Sequence, residues 1–183
     1  WQTGSVASRA AAVVEPMDVK GMKIRGGSRE FDLMLTAAGG VISSLPSNEI
    51  RNAMQSGKLD AAITSATSLI SFKVEDVARN LTTGRGKSFW FMLEPLLISK
   101  QVFDELTPAQ QAIMIEIGES LVPFGMASAK ADDQAIADIF VKGGAKIHDM
   151  TAATVERWRG IAVDSAWNEY ASRTPDCARL LKL

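Results

Sequence analysis

The sequence predicts an α/β fold, a parallel-rich sheet flanked by helices, with long helices towards the C-terminus. Three observations carry this. Short apolar strands alternate with helical patterns over residues 21–73, as βαβ units do, because parallel strands need a crossover between them. Apolar residues at helical spacing dominate after Thr107. With 183 residues, 46% hydrophobic and 22% charged, the chain can bury a real core.

Residues 1–17 begin with a small-residue stretch, Thr3 to Ser8, and reach Glu15-Pro16, where proline disfavours helix before it; they read as strand or connector. Residues 22–24 form the first strand, set off by Gly21 and by Gly26-Gly27. Ser28 stands as N-cap to a helix over 29–38, whose stripe is Phe31, Leu33, Met34 and Leu35. A second strand covers 41–44, a helix opens at Pro46 and stops at Gly57, and a third strand covers 59–64. Hydroxyls crowd its end, Thr64, Ser65, Thr67 and Ser68, before a short helix over 69–73. Residues 76–86 read as a mixed connector, too irregular for a phosphate loop. The apolar run 88–99 contains Pro95 and reads as two strand pieces or one bent strand. Thr107-Pro108-Ala109-Gln110 is a capping box with proline at the first helical position. Ile113, Met114, Ile117 and Leu121 continue as its buried face, Pro123 kinks or breaks it, and helix resumes over 126–141 until Gly143-Gly144. A strand over 145–148 follows, and Thr151 caps a last helix carrying Val155, Trp158, Ala162, Ala166 and Tyr170.

The chemistry concentrates where the first strand ends. A glycine turn and a helix N-terminus place backbone N–H groups beside Arg25, and all of these prefer an anion. Arginine's planar fork fits a carboxylate with two parallel hydrogen bonds, so Arg25, Gly27 and Ser28 form a candidate carboxylate or phosphate site. On the residues alone, the favoured alternative is a strand-end charge at Arg25 paired with a nearby Asp or Glu. Ligands of such sheets sit beyond the carboxyl ends of the strands. That adds Ser47, Thr64 and Ser65 as a polar floor, unless these hydroxyls merely cap helices. Trp90 is a candidate pocket wall, with a core role as its alternative.

Several classes are disfavoured. A net charge of -1 calls for neither nucleic acid nor an anionic membrane. Cys177 is alone, which excludes an internal disulfide, and His148 is the only histidine, with no Ser or Cys motif near it. Metal ligands do not cluster, and no cofactor is expected. No apolar run approaches the ~18 to 20 residues that span a bilayer. The chain opens on Trp1 with no visible signal peptide, so it reads as a mature or trimmed segment of a soluble protein.

The motifs Asp18-Val-Lys-Gly-Met-Lys-Ile-Arg25, Leu45-Pro-Ser-Asn-Glu-Ile50, Ala53-Met-Gln-Ser-Gly-Lys-Leu-Asp60, Pro95-Leu-Leu-Ile-Ser-Lys100 and Leu106-Thr-Pro-Ala-Gln-Gln111 have a family resemblance in this order. From about residue 16 the chain resembles the solute-binding (DctP-type) subunit of tripartite ATP-independent periplasmic (TRAP) transporters. The resemblance implies a lobe of the type II periplasmic-binding-protein kind, with most of the first lobe missing. Residues 1–87 would be βαβ units of the second lobe, 88–125 a segment returning to the first lobe with a hinge helix, and 126–183 helices and a strand completing the second lobe. It implies a periplasmic, non-catalytic receptor that takes a small carboxylate and hands it to integral membrane subunits. Arg25 matches the arginine that pairs with the substrate carboxylate, and Ser28 a position that lines the pocket. Thr64 falls where many members carry asparagine, and Ser47 where an aromatic residue is common. Arg9 lies where some members carry a second arginine, but its spacing does not match. The alternative with the same architecture is the effector-binding domain of a ligand-sensing regulator. A chain without its first lobe would also bare an apolar edge along 89–97 and self-associate.

Overall fold

The computed structural model describes residues 2–182. Seven strands form one sheet: β1 (Gln2–Ser8), β2 (Lys23–Arg25), β3 (Val41–Ile42), β4 (Ala61–Ser65), β5 (Asn80–Thr83), β6 (Phe91–Met92) and β7 (Lys146–Asp149). The order is β3-β2-β4-β1-β5-β7, with β6 attached to β1. The pairs β2–β3, β2–β4 and β5–β7 are parallel, as the βαβ reading requires. The α/β class therefore holds, with one addition. β1 runs antiparallel to β4, β5 and β6 and makes the sheet mixed.

The stretch left open as strand or connector is thus the central strand, and Gly4 to Ser8 are all buried. Its small residues allow close approach: Trp90 lies so near Gly4 that an added Cβ would fall 1.4 Å from the indole. β5 was expected to be part of a connector. Its polar composition hides a buried strand, because the residues after β1 satisfy its side chains. Thr82 Oγ1 donates to Val13 O at 2.6 Å and Asn80 Nδ2 to Ala10 O at 2.9 Å.

Helices cover both faces. On one face α2 (Ile50–Gln55), α3 (Ala66–Ser71) and α5 (Pro108–Lys142) bury Ile50, Met54, Leu69, Ile136 and Phe140 against Ala7, Ala62 and Leu81. On the other, α1 (Arg29–Ala37) and α6 (Ala152–Ala162) bury Leu35 and Trp158 with Ile24, Ile63 and Trp90. Trp158 fixes α6 to the start of the chain: its Nε1 donates to Val14 O at 2.8 Å and its ring stacks on Phe89 at 4.7 Å. Beyond α6 a π-helical turn (Val163–Trp167) leads into α7 (Asn168–Arg173) and α8 (Pro175–Leu180), so the last expected helix is divided.

The capping box forms as read: Thr107 accepts from Gln110 N, and Gln110 reaches back to Thr107 N. Two expectations for α5 are corrected. Of the kink or break expected at Pro123, the break does not occur: one helix runs through it, and Glu119, whose carbonyl loses its N–H partner, lies on an exposed stretch. Ile113, Met114, Ile117 and Leu121 are exposed rather than buried; helical spacing makes the face apolar, but no described residue covers it. Against expectation, α5 is also long and apolar enough to cross a membrane by length and composition. Its C-terminal turns are anchored in the core through Ile136, Ala137 and Phe140. The run 88–99 yields only β6, followed by an exposed segment with Leu96 and Leu97 and by α4 (Lys100–Asp104), because Pro95 cannot donate and no strand lies alongside among the described residues. Leu97, Ile98, Phe103, Met114 and Val122 line a groove of about 570 Å³ there.

Candidate functional site

The site grows from the end of β2. Ile24 is fully buried and locks the strand, which delivers Arg25 to the carboxyl edge of the sheet. Gly26 and Gly27 then turn the chain, and the ends of two polar side chains close over them. Gly27 has φ +91°, and a Cβ there would lie 2.7 Å from Arg25 Nη1. One at Gly26 would lie 2.5 Å from Asp32 Oδ1. Ser28 caps α1, its Oγ accepting from Phe31 N at 3.4 Å.

Arg25 is only 8% exposed and is not a surface charge. Its Nε donates to Leu45 O at 3.1 Å, Nη1 to Ile63 O at 2.9 Å and Nη2 to Ser47 Oγ at 3.2 Å. No carboxylate forms a salt bridge with it among the described residues. Of five guanidinium donors, one on each terminal nitrogen remains uncommitted. Burial draws its pKa down and Asp32 pulls it back up, yet arginine stays charged throughout the physiological range. Beside it lies a cavity of about 340 Å³, lined by Arg25, Gly27, Ser28, Arg29, Asp32, Leu33 and the loop 43–45. A cation with two free donors, set in a partly desolvated cavity, is equipped to hold a carboxylate.

The structure therefore brings together Arg25, Gly27, Ser28 and, through its hydroxyl, Ser47. It places the other three candidates elsewhere. Ser65 caps α3, its Oγ accepting from Ser68 N and donating to Ser68 Oγ. Thr64 is buried on the Ala62 side of the sheet, opposite Ser5 of β1, and its Oγ1 has no hydrogen-bond partner. Trp90 does not line this cavity; it packs edge-on against Phe31 with 5.3 Å between ring centres. Arg9, to which no role was transferred, pairs with Asp60 at 3.2 Å.

Two residues escaped the sequence reading. Arg29 borders the cavity while pairing with Glu169 of α7 at 2.7 Å. Asp32 enters it from the first turns of α1, and burial pushes its carboxyl pKa up, opposed by the Gly26 N–H and the charge of Arg25. Its spacing of four from the Ser28 cap, which returns it to the turn, was the available signal. His148 Nε2 lies 3.1 Å from Asn80 Oδ1 on the adjacent strand. No group of His, Cys, Asp or Glu among the described residues is placed to hold a metal.

The family model DctP, "Bacterial extracellular solute-binding protein, family 7", matches residues 1–174. A solute-binding protein of Albidiferax ferrireducens is 50% identical over 183 residues, covering 100% of this chain and 54% of the relative. One from Verminephrobacter eiseniae is 28% identical over 145 residues, 78% of this chain and 42% of the relative. The chain spans about half the length of the curated relatives it matches. Among solved structures, a TRAP periplasmic solute-binding protein of Rhodoferax ferrireducens with bound malonate is 50% identical, with a TM-score of 0.96, covering 100% of this chain and 58% of that one. A TRAP protein of Pseudomonas aeruginosa with bound L-malate shares the fold at 18% identity, with a TM-score of 0.76, over 93% of this chain and 59% of that one.

Proposed function

From the premise that the chain belongs to bacterial extracellular solute-binding protein family 7, the DctP family of TRAP receptors, we propose that it holds the carboxylate end of a small organic acid through Arg25. The family and its relatives are solute-binding proteins rather than enzymes, so the ligand is released unchanged. The observation that carries the reading is the buried Arg25, held by three neutral acceptors and paired with no carboxylate, with two donors left beside the cavity. Backbone N–H groups of the turn and the N-terminus of α1 add to the same positive field.

In this reading the protein works in the periplasm and passes its ligand to integral membrane subunits of a transporter. Residues 1–87 and 126–183 form one ligand-holding lobe, and the segment 88–125 reaches towards a second one. The exposed Leu96, Leu97, Ile113 and Met114 support this division. The malonate of the Rhodoferax relative and the malate of the Pseudomonas one support a small carboxylate as ligand class. Ser28 and Ser47 orient the anion and the fork.

Arg25→Lys, in the natural protein that carries this chain, tests the reading by titration calorimetry with organic acids. Replacing a bidentate, partly desolvated pair by a point charge should cost roughly 2 to 5 kcal/mol, tens to thousands of fold in affinity. A change below about threefold for the best ligand overturns it.

A further inference from the structure

We propose that the amino edge of the sheet, at the other end of the strands from the cavity beside Arg25, is an interaction surface for an anionic lipid bilayer. The strands β2, β4, β5 and β7 begin at this edge and β1 ends there, and a row of backbone hydrogen bonds runs along it. Asp60 N donates to Lys23 O at 2.8 Å, Arg9 N to Asp60 O at 2.8 Å, Arg79 N to Ser8 O at 2.9 Å and Lys146 N to Arg79 O at 2.9 Å. Five strands about 4.8 Å apart spread this row over roughly 20 Å. Lys23, Arg9, Arg79 and Lys146 are exposed along it, and Lys58 stands exposed two residues before Asp60.

Charge and shape select the partner. Lys23, Lys58, Arg79 and Lys146 form no salt bridge among the described residues. The carboxylates close by are engaged. Asp60 accepts from Lys23 N at 2.9 Å and pairs with Arg9 at 3.2 Å, and Asp76 pairs with Arg51 at 2.9 Å. Glu75, which lies against Gly143, has one carboxylate oxygen buried. Arg79 is held at the edge by Gly143 O, to which its Nη1 donates at 3.3 Å. Cations one strand spacing apart lie within a Debye length, about 10 Å at 0.1 M salt, so their fields add. A straight exposed row meets a charged plane along its whole length, whereas a small anion engages one or two of its members. Each Lys or Arg held at an anionic bilayer adds roughly fivefold to binding, and four unpaired ones roughly several hundredfold. The net charge of -1 conceals the row, because acids outnumber bases over the rest of the chain. Contact at the amino edge leaves the carboxyl edge and its cavity open, so the protein keeps its ligand site while lying on a membrane.

The test is co-sedimentation of the natural protein that carries this chain with vesicles of phosphatidylcholine, or of an equal mixture of phosphatidylcholine and phosphatidylglycerol. At low salt the mixed vesicles should bind it about tenfold or more above the neutral ones, and roughly 1 M salt, where the Debye length is about 3 Å, should release it. Lys23→Gln together with Arg79→Gln should lower binding to the mixed vesicles about tenfold or more. The same change of charge at Lys87 and Lys130, both exposed and away from the edge, should lower it less than about threefold. An unaltered melting temperature in both double variants shows that surface charge alone has changed, and circular dichroism checks the fold. Equal binding to neutral vesicles, equal losses in the two pairs, or no sedimentation at low salt overturns the proposal. Binding of polyglutamate where the mixed vesicles fail overturns it too, and would give the edge an acidic protein as its partner.

Discussion

At the scale of single residues, the site depends on a glycine that does two things at once. Gly27 takes a left-handed φ and leaves room for Nη1. Gly27→Ala should cost about 1 to 2 kcal/mol through the backbone and displace the guanidinium, lowering carboxylate affinity about tenfold or more. Gly21→Ala is the control, since Gly21 also has a positive φ, +75°, but faces open space. It should lose similar stability and no affinity; equal affinities in the two variants would remove Gly27 from the site. Asp32 makes a prediction about pH. Its folded pKa is raised, so its charge costs stability above the unfolded carboxylate pKa, and the cost fades as pH falls through the folded value. Asp32→Asn should therefore melt higher than wild type at neutral pH, by less than about 1 kcal/mol after solvent screening, and the gain should vanish in acid. A gain that persists or grows at low pH contradicts this. Arg25, Gly27, Ser28 and Ser47 were legible in the sequence because their chemistry is local to one turn and the loop facing it. Thr64 and Trp90 stand away from that cavity, because the face of a hydroxyl or an indole is set by pairing with Ser5 and by packing on Gly4, which a single sequence does not display. Asp32 looked like any carboxylate in a first helical turn.

At the scale of elements, Trp158 is the largest buried anchor of α6, beside the Arg157–Glu15 pair. Trp158 is fully buried, stacked on Phe89 and bonded to Val14 O. Trp158→Phe keeps most of the packing but orphans that carbonyl, and should cost about 1 to 3 kcal/mol. Trp158→Ala should cost about 3 to 5 kcal/mol. Denaturant midpoints measure both, and similar losses for the two would show that the hydrogen bond dominates over packing. Helices bounded by caps were read correctly because caps are local: Ser28, Thr107 and Thr151 all bond their N3 amides. β1 and β5 were missed or left open because Gly, Ser, Thr and Asn show no apolar alternation, although their central place in a sheet covered by helices buries them on both faces. The apolar face of α5 was legible as apolar. That it stands uncovered by any described residue was not, because periodicity shows a face and not its partner.

At the scale of the whole molecule, that face sets how the chain behaves alone. Ile113, Met114, Ile117 and Leu121 stand in solvent near Leu96 and Leu97, beside a groove of about 570 Å³. Contiguous exposed apolar surface drives association. The 183-residue chain alone should self-associate at micromolar concentrations, as light scattering would show; a monodisperse monomer would mean that the face is covered by rearrangement of residues 93–125. The sheet order has a consequence of another kind. β1 precedes the other strands of this sheet in sequence yet lies between β4 and β5, and the indole that closes over the connector after it is 144 positions away from its carbonyl partner. Such distant pairings close late, since the entropy of long loops is spent before any contact repays it. The sheet therefore stays open until residues from both ends of this stretch are available to pair.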